Sequence, residues 1–533
     1  MTQNNDSFVR PKRGRKNKTI IVVAVVVVVL LVISVAAFTI LTTPTKKTII
    51  FDNYWATTGK VGLKYLIPAF ESAYPQYKVV SELTPGAGGI TSKAALISLI
   101  ESGKAPASFQ VHFGPEMLSY AEVAPNGAKT FVNMTPIIQK SGVINSSVPA
   151  VFQAGAFNGT LLSMPVNVHR DTLLFINSKL LKQYNLPVPT NMSTLTSDTN
   201  ALVKDGLQPW GIAGGDGGWD QSNLWQSIFL AYAGSSLYKQ AMYGVLNTAN
   251  STVSQIVNRT DAMFLNYTST DYTGWQTLSW TNFLTLLIQN KVAFLANGNW
   301  ATNYAYDYLN TTIYPAQAPY LNQSNATVLE EPFPGTQNYY SLVIDSIAVP
   351  HGAAQAGGID LAKFWSSWQG QTTWTKWKAV TYYNNVTTDY YNTPSQWADY
   401  KQLTSTPESN FVYSLTGGGF YDNAFGTTIG DLLALQNAGK SGVTTWNSQF
   451  TSVISAQYSD WQTAAKMGLG YMGFPGHPFA NYYPPWVNAA TLGKISYSLT
   501  QKTASHTVSV WNPGLLVSSE QIASDAATGH ETL

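Results

Sequence analysis

Thr19 to Leu41 form an uncharged, predominantly apolar run, TIIVVAVVVVVLLVISVAAFTIL. As one helix it is long enough to cross the hydrocarbon core of a bilayer. Arg10, Lys12, Arg13, Arg15, Lys16 and Lys18 precede it, and basic residues stay on the cytoplasmic side. This predicts a cytoplasmic basic tail over 1–18, a single-pass transmembrane anchor over 19–41 and a short stalk over 42–47. Roughly 490 residues then lie outside the cell. The apolar run is longer than the core of a cleavable signal. Arg13-Gly14 is followed by Arg15-Lys16, not by apolar residues, which argues against a pilin-type leader. With no cysteine in the chain, a thioether lipid is excluded, and the helix itself is the expected tether.

So long an exterior segment exceeds what one core organises, and two lobes are expected. Hydrophobic residues make up 45% of the chain and charged ones only 11%, so the chain folds but takes its surface polarity from Asn, Gln, Ser, Thr and Tyr. Few carboxylates mean that acid alters charge and ion pairing little, which suits an acidic external medium. Asn-x-Ser/Thr sequons at Asn133, Asn145, Asn158, Asn191, Asn250, Asn258, Asn266, Asn310, Asn322, Asn325 and Asn385 fit surface glycosylation. The net charge is +2, and no basic stripe occurs beyond the juxtamembrane cluster, so no nucleic-acid partner is expected.

Thr48–Phe51 reads as a strand, and Val61–Tyr74 as a helix stopped by Pro75. Tyr77–Leu83 is a strand, Ser92–Ser102 a helix ended by Gly103, and Ser108–His112 a third strand. This alternation specifies an α/β lobe with parallel strands. Met164–Ile176 is extended and suits a crossing between lobes, and Tyr340–Val349 reads as a buried strand. The tail over 511–533 is polar.

Catalytic signatures are sparse. A chain without cysteine has no thiol nucleophile or thiolate metal site. The six histidines show no helical zinc spacing and there is no nucleophile elbow. Gly439-Lys440-Ser441 lacks the glycine of a phosphate loop five residues earlier, where Ala434 stands. No metal and no cofactor are expected. A glycosidase needs two carboxylates across a cleft, for which Asp216, Asp220, Asp345 and Asp389 are candidates. More telling are 16 Trp and 30 Tyr, because an indole face packs against the C–H face of a pyranose.

Four segments carry a resemblance. They are Phe51-Asp-Asn-Tyr-Trp-Ala-Thr-Thr-Gly59 with Phe70-Glu71-Ser-Ala-Tyr74-Pro75; Ser102-Gly-Lys-Ala-Pro106 with Phe109-Gln-Val-His-Phe-Gly114; Leu162-Ser-Met-Pro-Val-Asn-Val-His-Arg170 with Phe175-Ile-Asn177; and Ala293-Phe-Leu-Ala-Asn-Gly-Asn-Trp-Ala301 with Phe333-Pro-Gly-Thr336 and Asp345. In order and spacing they resemble the family 1 extracellular solute-binding proteins, the sugar-binding proteins of ABC transporters, in an archaeal membrane-anchored form. Asn299 stands where the family has an aspartate, and the segment near Lys378 departs from the pattern.

The resemblance implies a two-lobed, periplasmic-binding-protein-like (Venus flytrap) α/β fold preceded by one N-terminal transmembrane helix. Lobe 1 comprises 48–165 plus 337–380, and lobe 2 comprises 166–336 plus 381–510. It implies a monomeric ectodomain that binds a mono- or oligosaccharide in the interlobe cleft, without catalysis, and delivers it to permease subunits driven by a separate ATPase. Trp55, Trp219 and Trp300 are the expected stacking surfaces, and Thr57, Thr58, Gln110, His112, Asn167 and Asn299 the hydroxyl partners. His169, Arg170 and Asp345 are expected at the hinge. Trp55→Ala and Trp300→Ala are each expected to weaken sugar binding at least about tenfold with the fold intact. A membrane-tethered glycoside hydrolase and a structural cell-surface glycoprotein are the alternatives.

Overall fold

A computed structural model describes residues 28–29, 46–84, 89–317, 319–322, 326–418, 425–487, 499–503 and 506–510. Among these, no helix is long and apolar enough to cross a membrane. The expected anchor over 19–41, apart from Val28 and Val29, and the tail over 511–533 lie outside them.

Two sheets organise the chain. In the first, β1 (Lys47–Asn53) pairs in parallel with β2 (Tyr77–Leu83) and β3 (Ser108–His112). Helices α1 (Thr58–Ala73) and α2 (Ile90–Glu101) connect them, the right arrangement for parallel neighbours. The α1 face carrying Leu63, Leu66 and Phe70 is buried, following the i, i+3, i+4 apolar spacing. A short helix, α3 (Pro115–Val123), follows β3.

The chain then runs through β4 (Ser163–Arg170), turns at Asp171-Thr172 and enters β5 (Leu173–Asn177) of a second sheet. There β5 pairs with β6 (Phe294–Asn297) and β8 (Val328–Pro332), and β8 pairs with β7 (Tyr314–Pro315). A second crossing, Phe333–Tyr339, leads back to β9 (Tyr340–Ala348) in the first sheet. β9 lies antiparallel to β3 and β4. After α4 (Trp368–Trp374) and α5 (Pro394–Ser405), β10 (Phe411–Tyr413) joins β9. Residues 166–170 and 411–413, expected in lobe 2, are thus hydrogen-bonded into the first sheet, and that sheet is mixed. The reason for the first is that the β4 ladder runs on to Arg170, five residues past Pro165, before the chain crosses.

Arg170 closes β4 with no exposure to solvent. Its guanidinium donates to the carbonyls of Tyr339 (2.8 Å) and Thr336 (3.3 Å) in the returning crossing, and to Gln402 of α5. Burial opposes its charge, and the Asp399 carboxylate is the main group that favours it. Burial pushes Asp399 up to about 6 against the pull of Arg170. Burial and then the Asp399 charge push Glu330 up to about 8. Glu331 (about 8) and Asp261 (about 7) rise mainly through burial.

These groups hold protons more tightly folded than unfolded, so their contribution is complete below their ordinary pKa and is lost as pH rises through 6 to 8. Glu116, depressed to about 2, Asp345, held well below its usual range, and His169, depressed to about 4, act the opposite way. They lose their contribution as pH falls below their ordinary values, and the raised carboxylates outnumber them. The ectodomain is expected to melt at least about 5 °C higher near pH 4 than near pH 8. Glu330→Gln should shrink that difference; calorimetry across pH checks both.

Candidate functional site

A cavity of about 390 Å³ lies between the sheets. Three helices begin at it: Thr58 opens α1, Trp219 opens α6 (Trp219–Met242) and Trp300 opens α7 (Trp300–Leu309). Each brings backbone N–H groups that have no partner within their own helix. Local sequence explains the placement. Gly218, at φ 81°, makes the left-handed turn that swings Trp219 inward. A Cβ at Gly298 would lie 2.3 Å from the Trp300 ring, so only glycine fits beneath that indole.

One wall is aromatic. Trp219 meets Trp300 edge-on at 5.6 Å and Trp280 at 6.4 Å, and all three line the cavity. Trp55 lines it too but is 4% exposed, wedged against Trp374 (4.9 Å) and Trp365 (5.7 Å). It is part of the lobe's packing, which corrects the expectation that its removal leaves the fold intact.

The opposite wall is polar and charged. Alternation along β9 puts Val343 and Asp345 on one face, both lining the cavity. A register shift between Asp345 and Ser346, opposite Pro165, sets Asn167 across from Asp345. Asp345 then accepts from Asn167 Nδ2 (3.0 Å) and Gln110 Nε2 (3.2 Å), and pairs with Lys378 Nζ at 3.0 Å. Although burial opposes its charge, the Lys378 ammonium holds its pKa well below the usual range.

His169 Nδ1 lies 2.5 Å from Asn299 Oδ1, which can only accept, so the proton sits on Nδ1. Nε2 then accepts from Lys378 Nζ at 2.8 Å. Burial and the Lys378 charge depress His169 to about 4, and the ring is neutral. At the cavity edge Tyr54 Oη meets His112 Nε2 at 3.0 Å, while His112 Nδ1 meets Glu116 at 2.5 Å and Lys93 stands 3.3 Å from Glu116. Burial disfavours charge on His112, yet Glu116 raises its pKa overall.

Of the expected ligand-binding residues, Trp55, Thr57, Thr58, His112, Trp219 and Trp300 line the cavity. Gln110, Asn167 and Asn299 do not. Gln110 accepts from the Tyr54 N–H, Asn167 accepts from Trp374 Nε1 and Asn299 donates to Asp399. They are spent on holding the wall. His169 and Arg170 end β4, where the chain crosses to the second sheet, and Asp345 lines the cavity. Tyr54, from the Phe51–Gly59 segment, lines it as well, and so do Lys93, Asp171, Asn223, Trp280 and Lys378, with no motif to mark those five.

Two of the four candidate carboxylates share the cavity. Asp216 and Asp345 line the cavity, whereas Asp220 is buried beside Asn297 and Asp389 lies on a short turn elsewhere. Across the cleft, Tyr308 Oη of α7 donates to the Thr57 carbonyl at 3.1 Å. Among the sequons, Asn266 has its Nδ2 buried, which removes it as an acceptor in the folded chain. The side chains of Asn322 and Asn325 lie outside the described residues, and the other eight candidates are exposed.

A two-lobed α/β frame with an aromatic and polar cavity between the lobes defines a solute receptor. The chain belongs to the bacterial extracellular solute-binding protein family, whose model matches residues 55–372, more than half of its length. These are binding proteins, not enzymes. The chain is 50% identical to the glucose-binding protein GlcS of Saccharolobus solfataricus over 85% of this chain and 81% of that one. It is 25% identical to an uncharacterized ABC transporter extracellular-binding protein of Pyrococcus horikoshii, covering 79% of this chain and 90% of that one. Among solved structures, the bacterial solute receptor AcbH, described as having an exclusive preference for b-D-galactopyranose, superposes with a TM-score of 0.62 at 13% identity. That match covers 77% of this chain and 99% of that one, and is a likeness of fold alone.

Lys378→Met leaves the Asp345 carboxylate buried without its cation. It is expected to lower stability by about 3–5 kcal/mol, measured by urea denaturation at neutral pH.

Proposed function

We propose that this protein is the sugar-binding receptor of an ABC importer, tethered outside the cell by the 19–41 helix, and that its solute is a monosaccharide of hexose size. The observation that carries this is the cavity itself. Trp219, Trp280 and Trp300 face Tyr54, His112 and the Asp345–Lys378 pair, so an indole can cover a ring's C–H face while fixed polar groups take its hydroxyls. At about 390 Å³ the space is near the lower end for small-molecule sites, which favours one ring over an oligosaccharide. D-glucose is the first candidate, given the 50% identity to a glucose-binding protein. The loaded, closed form then docks on permease subunits whose ATPase is a separate chain. Closure is the population shift expected of a ligand that touches both lobes.

The test is calorimetry of residues 46–533 with D-glucose, D-galactose and maltose, followed by product analysis. One-to-one binding of D-glucose at micromolar affinity or tighter, with the sugar recovered unchanged, is the expected outcome. Turnover would turn the reading to the hydrolase, and silence with every sugar would overturn it. Trp219→Ala and Trp300→Ala should each weaken binding at least about tenfold, while Trp55→Ala should chiefly cost about 3–5 kcal/mol of stability. Tyr308→Phe removes the bond across the cleft and should speed sugar release about fivefold by stopped flow.

A further inference from the structure

One backbone bond fixes the orientation of two side-chain amides beside the cavity. The N–H of Leu415 donates to Gln226 Oε1 at 3.0 Å. A backbone N–H cannot accept, so the Gln226 oxygen must face it. Tyr238 Oη (3.1 Å) and Ser414 Oγ (3.3 Å) donate to the same oxygen. Gln226 Nε2 therefore points the other way, donating at 2.7 Å to both Asp171 Oδ2 and Asn223 Oδ1. With its oxygen engaged, Asn223 turns Nδ2 outward, and Asp171 keeps Oδ1 in reserve.

Neither Asp171 Oδ1 nor Asn223 Nδ2 has a hydrogen-bond partner, although the two residues are only 1% and 4% exposed. Both residues line the cavity, whereas Gln226 sits behind them, fully buried. Buried polar atoms are ordinarily satisfied, so a pair left open at a cavity wall marks where a ligand completes the bonding. Asn223 also follows Trp219 by four residues on α6, which puts the amide and the indole on one helical face.

We propose that Asp171 and Asn223 form a subsite that reads two neighbouring ring hydroxyls of the sugar, with Gln226 as its positioning residue. The inference rests on the sugar reading above and assigns the residues that select among sugars. Vicinal hydroxyls each donate and accept, so an acceptor beside a donor takes them in one orientation. Burial raises the Asp171 pKa, while Gln226 and the nearby Ser414 and Ser341 hydroxyls favour its charge. When protonated on Oδ1 it donates instead, and a hydroxyl still answers. A ligand lacking one of the two hydroxyls leaves a buried group open again, and a site of this kind rejects such an analogue strongly.

The experiment is calorimetry with D-glucose and its 2-, 3-, 4- and 6-deoxy derivatives on wild type, Asp171→Ala, Asn223→Ala and Gln226→Glu. The two alanine variants are expected to lose at least tenfold in D-glucose affinity. At least one deoxy derivative that is penalised on wild type should show no further penalty on Asn223→Ala. Gln226→Glu keeps an acceptor for Leu415 but places a second oxygen against Asn223. That should flip the amide and change which deoxy derivative is penalised, a readout that a purely structural role does not move. If Asp171→Ala fails to fold, Asn223→Ala decides. D-glucose affinity within tenfold of wild type in the folded variants overturns the subsite. A wild type that binds no hexose overturns the sugar reading, and the subsite with it, before any variant is compared.

Discussion

The buried carboxylate of Asp345 is the constraint on which the rest of the structure depends. It sits on the central strand of the first sheet and is held by Lys378, Asn167 and Gln110. Those partners come from three different stretches: the segment after α4, the crossing strand β4 and strand β3. A charge removed from water needs compensation from every side, and here the compensation ties the crossing strand to the lobe that the first ligand-facing loop leaves. His169 extends the tie, passing from Lys378 through its neutral ring to Asn299 at the foot of the Trp300 helix. The stacking wall and the charged wall of the cavity are thus two ends of one hydrogen-bonded chain.

Much of the frame was legible in the sequence. The strands over 77–83 and 108–112 fall where alternation and glycine breaks put them, and α1 follows its apolar spacing. Trp219 was legible from the glycines before it, and Trp300 from its place in the Ala293–Ala301 segment. The polar side of the cavity was not. Gln110, Asn167 and Asn299 have the right chemistry in the right segments, yet each is consumed by a neighbour that sequence cannot place beside it. Lys378 lies in a stretch that departs from the family pattern, and only the fold brings it to Asp345. Trp280 opens a separate helix over Trp280–Ile288, and only the fold brings it to Trp219.

The scarcity of charge has a structural counterpart. Several of the few carboxylates are buried without a cation, among them Glu331 and Asp261, and hold their protons through burial alone. In neutral water such groups would oppose folding, whereas in acid they are merely polar side chains. The same surroundings leave His169 uncharged down to about pH 4, so the hinge keeps its bonding pattern where an ordinary histidine would protonate.

The path of the chain between the sheets carries a further consequence. It leaves the first sheet at Arg170, returns at Tyr340, and supplies a last strand only at Phe411–Tyr413. Neither lobe is a continuous stretch, and β9, the strand that holds Asp345, follows the whole second sheet in synthesis. A nascent chain emerging from a translocon thus cannot complete its N-terminal lobe and move on. It must hold β1 to β4 with an unpaired edge until β9 appears, about 170 residues after Arg170. Assembly of the first sheet is therefore a late event.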